Sequence, residues 1–559
     1  MGNIVRPGMV VGAGPVIRAM AERIGLVPTI DGLVGWDPSR CRLSPGERIL
    51  ALIINLLTDR EPLYQVWEAF DLTDVPLLLG AGITATDLTD DALGRALDKL
   101  AAAGAAAVFS AVAARAYAIE AMDRGGMHFD TTSRSLYGEY PTADGSRGVT
   151  PRHGHSKDHR DDLKQILFTC FVNRDGVPLM GTVEDGNRSD KRLNRDQIAR
   201  IVRAFSPEAL RDMVYIADSA LVTGPNLEDL AAADLAWLSR LPDTFGVAAT
   251  AKAAAWEAAA WIPVGRVAAS PHGATYAASE QTGTIGERAY RCVVYRSSSL
   301  DRRKAKTLER ELTAARATAE RAADALSTQA FTCAADAEAA AAVFRATAPR
   351  WWPCTTTVGP VTVTEKQAHR GRPRRDDPAP THTVYRVQVA WGPRDEAAVQ
   401  TELERRSTFV LITTLPATRY DAAALLREYK GQTSVEQRFH FLKDPAFVDA
   451  VFLKKPERIE ALGYVMLLAL LVFSCIERRV RQAPEPLPTS SRGAVARPTG
   501  QLIVHQCRGI QVLWCDDGHR YLSVPAAHRP ALRVILQALG FSEAIFTTVP
   551  ARAAPVWKT

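Results

Sequence analysis

Three acidic residues in distant segments could together bind divalent metal ions. Asp130 directly follows the apolar run GMHF and Asp218 directly follows VYIA, so each is expected at the carboxyl end of a strand, where open α/β sheets bind ligands. The third, Glu436, lies in YKGQTSVEQRFHFLK, residues 429–443. Carboxylate oxygens suit Mg²⁺ or Mn²⁺, and a pair of such ions can stabilise the attacking and leaving oxygens of an in-line phosphodiester displacement.

Each acid also has a simpler interpretation. Asp130 and Asp218 could begin turns, because aspartate side chains hydrogen-bond to the backbone two residues on. Residues 433–436 read TSVE, a capping-box pattern in which the Glu436 carboxylate would accept a hydrogen bond from the backbone N–H of Thr433 instead of binding a metal. The sequence leaves both interpretations of Glu436 open.

Residues 429–443 could also form one helix with a polar face. At about 100° per residue, four polar side chains would lie within about 60° of one another: Tyr429, Gln432, Glu436 and Lys443. A neighbouring apolar stripe would seat this helix on a core: Val435, Phe439 and Leu442. A helix that starts at the capping box would instead leave Tyr429 in the preceding turn.

The segment RHGHSKDHRDD, residues 152–162, combines histidines with basic residues. His153, His155 and His159 could bind zinc, but the segment lacks helical context and a complete ligand set, so a solvated basic loop is the better interpretation. Lys157 and Arg160 are candidate contacts to DNA phosphates.

A second basic segment, HRGRPRR at residues 369–375, contains R-G-R-P, which is the core of a hook that inserts into the minor groove of DNA. A charged turn before the strand-like TVYRVQVAW is the alternative, and we favour it.

The order of elements predicts an α/β fold. Three β-rich stretches between residues 126 and 186 precede a helix, a strand, a helix and a strand, which is the order expected of a ribonuclease H-like catalytic core. Apolar residues at near-heptad spacing in residues 308–326 predict a helical hairpin within a large mixed insertion. Helical spacing also dominates the N-terminal residues.

These patterns divide the chain into five predicted parts. They are a helical region that fits a DNA-binding module and a plain helical bundle equally well (1–120), the first part of the catalytic core (121–242), the insertion (243–407), the last part of the core (408–482), and a linker with a small tail domain (483–559).

The composition is that of an ordinary globular protein. The 559 residues are 47% hydrophobic and 23% charged, and the net charge of +6 permits a nucleic-acid partner without requiring one. None of the eight cysteines forms a C-x-x-C pair, which disfavours a zinc ribbon and fits buried thiols in a reducing cytosol. We see no signal peptide, and the apolar run at residues 461–475 is short for a membrane span, so we predict a core helix there.

Six stretches in order resemble an insertion-sequence transposase of the Asp-Asp-Glu type, in the group with a Y-R-E-K signature around the last acid. They are HFDTTSRSLYGEY, GHSKDHRDDLKQ, GVPLMGTVEDGNRSDK, YIADSALVT, AWLSRLP and YKGQTSVEQRFHFLK, and the resemblance covers about residues 126–480.

This resemblance implies roles for individual residues. Asp130, Asp218 and Glu436 would be the catalytic triad that holds two Mg²⁺ or Mn²⁺ ions. Tyr429 and Lys443 match the family's Tyr and Lys and would contact DNA near the transposon end. Gln432 stands where the family has Arg, so a hydrogen-bonding group is kept and a charge is lost.

The resemblance also implies partners. These are double-stranded DNA, as terminal inverted repeats and as target, and a second copy of the chain in a homodimer on DNA. Residues 1–120 would then be the DNA-end-binding domain. We expect no membrane association and a bacterial cytoplasmic, nucleoid-associated location. A metal-dependent nuclease without strand transfer and a catalytically dead DNA-binding relative are the alternatives, and the presence of all three acids disfavours the second.

Overall fold

The computed structural model describes residues 4–140, 148–156, 160–267, 273–365, 381–432, 453, 455–490 and 493–551 of the chain. The chain forms two compact units. The first comprises residues 1–242 and 413–559, and the second comprises residues 243–412. The finer division into five parts stays a prediction.

The first unit opens with a strand and a series of helices: β1 (Ile4–Val10), α1 (Gly14–Arg23), α2 (Leu26–Leu33), α3 (Pro45–Leu57), α4 (Val66–Asp71), α5 (Val75–Leu79), α6 (Asp90–Ala102) and α7 (Ala105–Ile119). The start of α3 shows why these segments are helical. Ser44 and Glu47 form a reciprocal capping box, and the helix that follows buries Ile49 and Ile53 completely. The helical pattern agrees with these elements, whereas β1 was not expected.

A mixed β-sheet with helices follows: β2 (Gly126–Leu136), β3 (Lys164–Asn173), β4 (Pro178–Asp185), α8 (Asp190–Ala204), α9 (Pro207–Arg211), β5 (Val214–Ala217), α10 (Gly224–Ala232) and β6 (Ala236–Arg240). The strands lie in the order β4-β3-β2-β5-β6. β2, β5 and β6 are parallel, and β3 runs antiparallel to both β2 and β4. The predicted order of three strands, helix, strand, helix and strand is therefore present, with the short α9 added.

The two faces of this sheet can be assigned from α8. The hydroxyl of Thr131 in β2 donates to Asp190 of α8 at 2.6 Å, and the hydroxyl of Tyr215 in β5 donates to Asn194 of α8 at 3.0 Å. Phe129 stacks on Tyr215 with ring centroids 5.8 Å apart, so it lies on the same side. Because side chains alternate along a strand, His128 and Asp130 lie on the opposite face, which we call the acidic face.

The β-rich pattern over residues 126–138 agrees with β2, but the position of Asp130 within the strand does not agree with the prediction. We predicted that the strand ends at Asp130, and this is wrong, because β3 pairs with β2 as far as Leu136 opposite Lys164. The parallel pairing with β5 does stop near Asp130, since its last pair is Phe129 with Ala217. Asp130 therefore lies where β2 loses its parallel neighbour and keeps its antiparallel one.

The second unit contains α11 (Gly246–Ala258), β7 (Ile262–Arg266), β8 (Thr275–Ile285), β9 (Arg288–Ser297), α12 (Arg302–Thr328), α13 (Ala334–Thr347), β10 (Cys354–Thr364), β11 (Thr381–Trp391), α14 (Glu396–Ser407) and most of β12 (Phe409–Thr413). Strands β12, β9, β8 and β7 are neighbours in that order, and β10 pairs with β11 in a separate antiparallel ribbon. The long α12 and α13 bury Leu326 and Phe344 against Val387 of the ribbon.

The chain then returns to the first unit with α15 (Ala422–Lys430), α16 (Pro456–Gln482), β13 (Leu487–Thr489), β14 (Gly493–Val495), α17 (Gly500–Gln506), β15 (Gln511–Cys515), β16 (Arg520–Leu522) and α18 (Pro530–Leu539). By length and composition α16 could cross a membrane, but 89% of its most apolar window is buried inside the protein. Such burial is typical of a core helix, which is how we interpret α16.

The N-terminal and C-terminal segments of the chain pack together. β1 pairs with β15, and β15 pairs with β16, in a three-stranded sheet. The buried Asp74 accepts hydrogen bonds from Trp514 at 2.8 Å and from Arg520 at 2.7 Å. The N-terminal helices and the C-terminal tail therefore share one structure within the first unit.

Candidate active site

Asp130 and Asp218 are brought side by side by the strand register. Phe129 of β2 pairs with Ala217 of the parallel strand β5. Asp130 and Asp218 are the residues that directly follow this pair in the sequence. Asp218 keeps an extended backbone, with φ −69° and ψ −177°, so the two segments remain parallel for one more residue. Neighbouring strands lie about 4.8 Å apart, and paired residues face the same side, so the two carboxylates are neighbours on the acidic face.

Asp218 also begins a turn, as its simpler interpretation requires. Its Oδ1 accepts a hydrogen bond from the backbone N–H of Ala220 at 3.0 Å, at the start of a 3₁₀ turn over Ser219–Leu221. Asp130 Oδ1 similarly accepts from the N–H of Thr131 at 2.7 Å. These bonds restrict the rotation of both carboxylates, and both side chains are only partly buried. Turn formation and metal binding are thus compatible here, because a carboxylate offers several lone pairs.

The end of α15 lies on the same face. A Cβ atom at Gly431 would stand 3.1 Å from Cε1 of His128, so the backbone there touches the imidazole. One turn earlier, Glu428 lies against Gly126, where a Cβ atom would collide with its carboxylate. Gly126, His128 and Asp130 are alternate residues on the acidic face. From Glu428 to Gly431, the end of α15 therefore runs along β2 in the direction of Asp130.

α16 covers the same face on the other side of Asp130. Asp130 pairs with Cys170 of β3, and Cys170 pairs with Gly181 of β4, so these residues form one row across the sheet. Leu467 of α16 packs on this row, because its Cδ1 is 3.1 Å from the Cβ position of Gly181. The end of α15 and the middle of α16 thus both pack on the face that carries Asp130.

The predicted single helix over residues 429–443 is wrong at its start. α15 ends at Lys430, and Gly431 and Gln432 form a turn. Tyr429 lies in the last turn of α15 and is partly exposed, whereas Gln432 is buried. Glu436 and Lys443 lie outside the described residues. α15 thus ends just before Gly431, which spacing alone did not reveal.

The basic segment near residue 160 is described in part. Arg160 forms a double hydrogen bond to Asp162, with both distances 2.8 Å, and donates to the hydroxyl of Tyr137 at 3.3 Å. His153 and His155 are exposed, and within the described ranges no group of three potential metal-binding side chains occurs. Lys157, His159 and the segment HRGRPRR lie outside the described residues.

Burial determines the charge of two groups beside the acids. Burial, with a smaller effect of Arg174, lowers the pKa of His128 from its ordinary value to about 4, so its imidazole is neutral at pH 7. Burial, and then the negative charge of Asp130, raises the pKa of the Cys170 thiol. Neither group adds charge to the acidic face near neutral pH.

Sequence reasoning missed a cluster at the end of α15. Arg174, in the turn between β3 and β4, donates to Glu428 at 2.8 Å and to Asp123 at 3.1 Å. The glycines at positions 126 and 431 were the available signal, because a glycine at the edge of a strand or helix often marks close backbone approach.

Comparison with known proteins gives two family matches. Residues 142–472, more than half of the chain, match the family described as "Transposase DDE domain". Residues 10–114 match a family described only as a domain of unknown function, DUF4277. No curated protein matches the chain.

A solved structure described as "Cryo-EM structure of piggyBac transposase synaptic complex with hairpin DNA" also matches. The match covers 88% of this chain and 78% of that one, with 9% sequence identity and a TM-score of 0.33. A similarity of this size carries no argument about fold or function.

Proposed function

Because the chain belongs to the transposase DDE domain family and is a DDE-type transposase, we propose that it cuts DNA at the ends of an insertion sequence and joins the freed 3′-OH ends to target DNA by two-metal phosphodiester transfer. We also assign the sheet of the first unit to a ribonuclease H-like core. The order β4-β3-β2-β5-β6, with the first strand of the sheet at its centre, supports this assignment.

The observation that carries the proposal is the adjacency of Asp130 and Asp218. Two carboxylates on neighbouring strands, each oriented by one backbone N–H, offer the oxygen donors that Mg²⁺ or Mn²⁺ prefers. Glu436 would complete the donor set for two ions. Bound ions of this kind would activate the attacking oxygen and stabilise the leaving oxygen.

Chain length permits Glu436 to reach these acids. Gly431 touches His128, which precedes Asp130 by two residues on the same face of β2, a distance of about 6.6 Å along the strand. Glu436 follows Gly431 by five positions, and an extended chain that advances five residues spans about 17 Å. The segment that carries Glu436 therefore begins close enough to Asp130 and Asp218 for Glu436 to reach them.

The reaction has two steps of the same kind. In the first, water attacks the phosphodiester at the element's end, the P–O3′ bond breaks, and a 3′-OH and a 5′-phosphate are released. In the second, that 3′-OH attacks a target phosphodiester, a new P–O bond forms, and the target strand's own 3′-OH leaves. The protein's residues would align the attacking oxygen with the DNA phosphodiester, and no covalent link between DNA and protein is needed.

We further propose that five side chains contact DNA: Tyr429, Gln432, Lys443, Lys157 and Arg160. Arg160 would exchange its exposed partner Asp162 for a phosphate, a small cost because exposed ion pairs contribute little to stability. The N-terminal helical region would bind the terminal inverted repeats. A homodimer on DNA, in the bacterial cytoplasm with the nucleoid, would pair the two ends.

The test is a cleavage and joining assay with Mg²⁺ on duplex DNA that carries an end of the insertion sequence. Asp130→Asn and Asp218→Asn should each reduce cleavage by more than the roughly 100-fold that loss of a group beside a metal ligand can cost. Asp190→Asn, on the opposite face of the sheet, is the control and should retain cleavage. Cleaved products that are never joined to target DNA would favour a nuclease without strand transfer.

Glu436→Gln separates the two interpretations of Glu436. As a metal ligand, Glu436 is required for cleavage, so the variant should be inactive at unchanged stability. If cleavage persists while the free energy of unfolding falls by about 1 kcal/mol, Glu436 is a helix cap and the donor set is incomplete.

A further inference from the structure

The C-terminal end of α15 is held by a cluster that nothing in the metal chemistry requires. Glu428 is 11% exposed in its side chain and pairs with Arg174 at 2.8 Å. Arg174 lies in the turn between β3 and β4, and it also bonds to Asp123 at 3.1 Å and to the hydroxyl of Tyr420 at 3.4 Å. One guanidinium thus links the edge of the sheet to both ends of the α15 region.

His128 is the buried residue of β2 against which this cluster packs. Its side chain is 1% exposed, and neither ring nitrogen has a hydrogen-bond partner. Its Nε2 lies 4.0 Å from Glu428, and the backbone at Gly431 covers Cε1. That distance is too long for a hydrogen bond, so the imidazole packs against Glu428, and Arg174 at 2.8 Å supplies the positive charge that opposes the carboxylate.

The cluster fixes the position and direction in which the chain leaves α15. Glu428 lies against Gly126 and Gly431 lies against His128, so two points of the helix end are held to two points of β2. Only Gln432 and three further residues separate Gly431 from Glu436. A small displacement of α15 would therefore move the start of the segment that carries the third acid.

We propose that Arg174 and Glu428 are positioning residues for the metal site, because they hold the end of α15 against β2 and so deliver Glu436 to Asp130 and Asp218. This inference rests on the proposed function. Neither residue touches the reacting atoms. Their loss should weaken the metal site more than the fold, because Arg174 is 46% exposed in its side chain and the α15 helix keeps its buried Leu425 and Leu426.

The experiment measures the Mg²⁺ concentration that gives half-maximal DNA cleavage by the full-length protein. Arg174→Met and Glu428→Gln should each raise it by about 10-fold, the lower end of the effect of losing a group that orients a metal ligand. The double variant should be no worse than the poorer single variant, because both changes remove one interaction. Arg174→Lys keeps a positive charge beside Glu428 and should recover part of the loss.

The control is the ion pair of Arg195 and Asp229, which has the same 2.8 Å distance but joins α8 to α10. Arg195→Met should leave the Mg²⁺ dependence unchanged. Thermal unfolding of all variants should stay within a few degrees of the parent protein. Reduced cleavage at an unchanged Mg²⁺ requirement, in parallel with a lower melting temperature, would show that the cluster is only structural.

The outcome can be separated from failure of the proposed function. If Asp130→Asn cleaves DNA as well as the parent protein, the two-metal proposal itself fails, whatever the cluster does. If Asp130→Asn is inactive and Arg174→Met cleaves with the parent's Mg²⁺ dependence, only the positioning inference fails.

Discussion

At the scale of single residues, the candidate site depends on glycines where one backbone touches another element. Gly431 has an ordinary helical φ of −57°, so its importance is a matter of space and not of conformational freedom. A Cβ atom there would stand 3.0 Å from the carbonyl oxygen of Glu428 and 3.1 Å from Cε1 of His128. Both neighbours are held in place, one by its helix and the other by burial.

Gly431→Ala should therefore destabilise the protein and impair cleavage together. Forcing an extra methyl group into a packed contact costs about 1–3 kcal/mol, and relief of the strain would lift the end of α15 from β2. Gly224→Ala is the control, because nothing lies within 4 Å of the Cβ position of Gly224. Urea unfolding and the DNA cleavage rate measure the two effects, and a Gly431→Ala protein that matches Gly224→Ala in both would contradict the close contact.

At the scale of elements, local patterns predicted the strand and helix order better than they predicted where elements end. Alternating and helical spacing identified β2 to β6 with α8 and α10 between them. Alternation over residues 126–138 indicated β-structure, but the prediction that the strand ends at Asp130 was wrong, because β3 pairs along its second half. The end of α15 was missed for the opposite reason, since spacing was followed through Gly431, a residue that often terminates helices.

The attachment of α8 to the sheet gives a pH-dependent prediction. Glu184, at the end of β4, pairs with Arg200 at 2.9 Å and with Arg188, both on or beside α8. Burial opposes ionisation of Glu184, but hydrogen bonds from Thr182 and Arg200 outweigh it, so its pKa lies below the ordinary value. A lowered pKa means that the pair stabilises the fold fully above the unfolded-state pKa of about 4.3 and loses this contribution as pH falls through the folded value.

Glu184→Gln should lower the free energy of unfolding by about 1.5–3 kcal/mol at pH 7, the range for hydrogen bonds to charged groups. The difference from the parent protein should stay constant down to about pH 5.5 and shrink below about pH 4. Urea unfolding at several pH values measures it. Asp196, which also pairs with Arg188, is present in both proteins, so its own titration should affect both. A stability difference that grows as the pH falls would contradict the lowered pKa of Glu184.

At the scale of the whole chain, the association of the two ends could not be predicted from the sequence. β1 pairs with β15 across some 500 residues, and no local pattern records a partner at that distance. The acids of the candidate site illustrate the same limit. The sequence identified Asp130 and Asp218 by their position after apolar runs, but only the register of β2 and β5 places them side by side.

The junction of the chain ends supplies the last prediction. Asp74 has no exposed side-chain surface and pairs with Arg520, which is 10% exposed in its side chain and stacks on Trp514 at 4.0 Å. Asp74→Asn leaves the buried guanidinium without a countercharge, and breaking a buried pair costs about 3–5 kcal/mol.

The control for this change is Arg533→Met, which breaks the half-exposed pair with Glu485 in the same tail and should cost no more than about 1 kcal/mol. Urea unfolding gives the free energies, and limited proteolysis reports where the protein opens. Asp74→Asn should expose sites in both the N-terminal helices and the C-terminal tail, since the ion pair and the β1–β15 pairing hold the two segments together. Cleavage confined to the tail would instead mean that the N-terminal helices are stable without it.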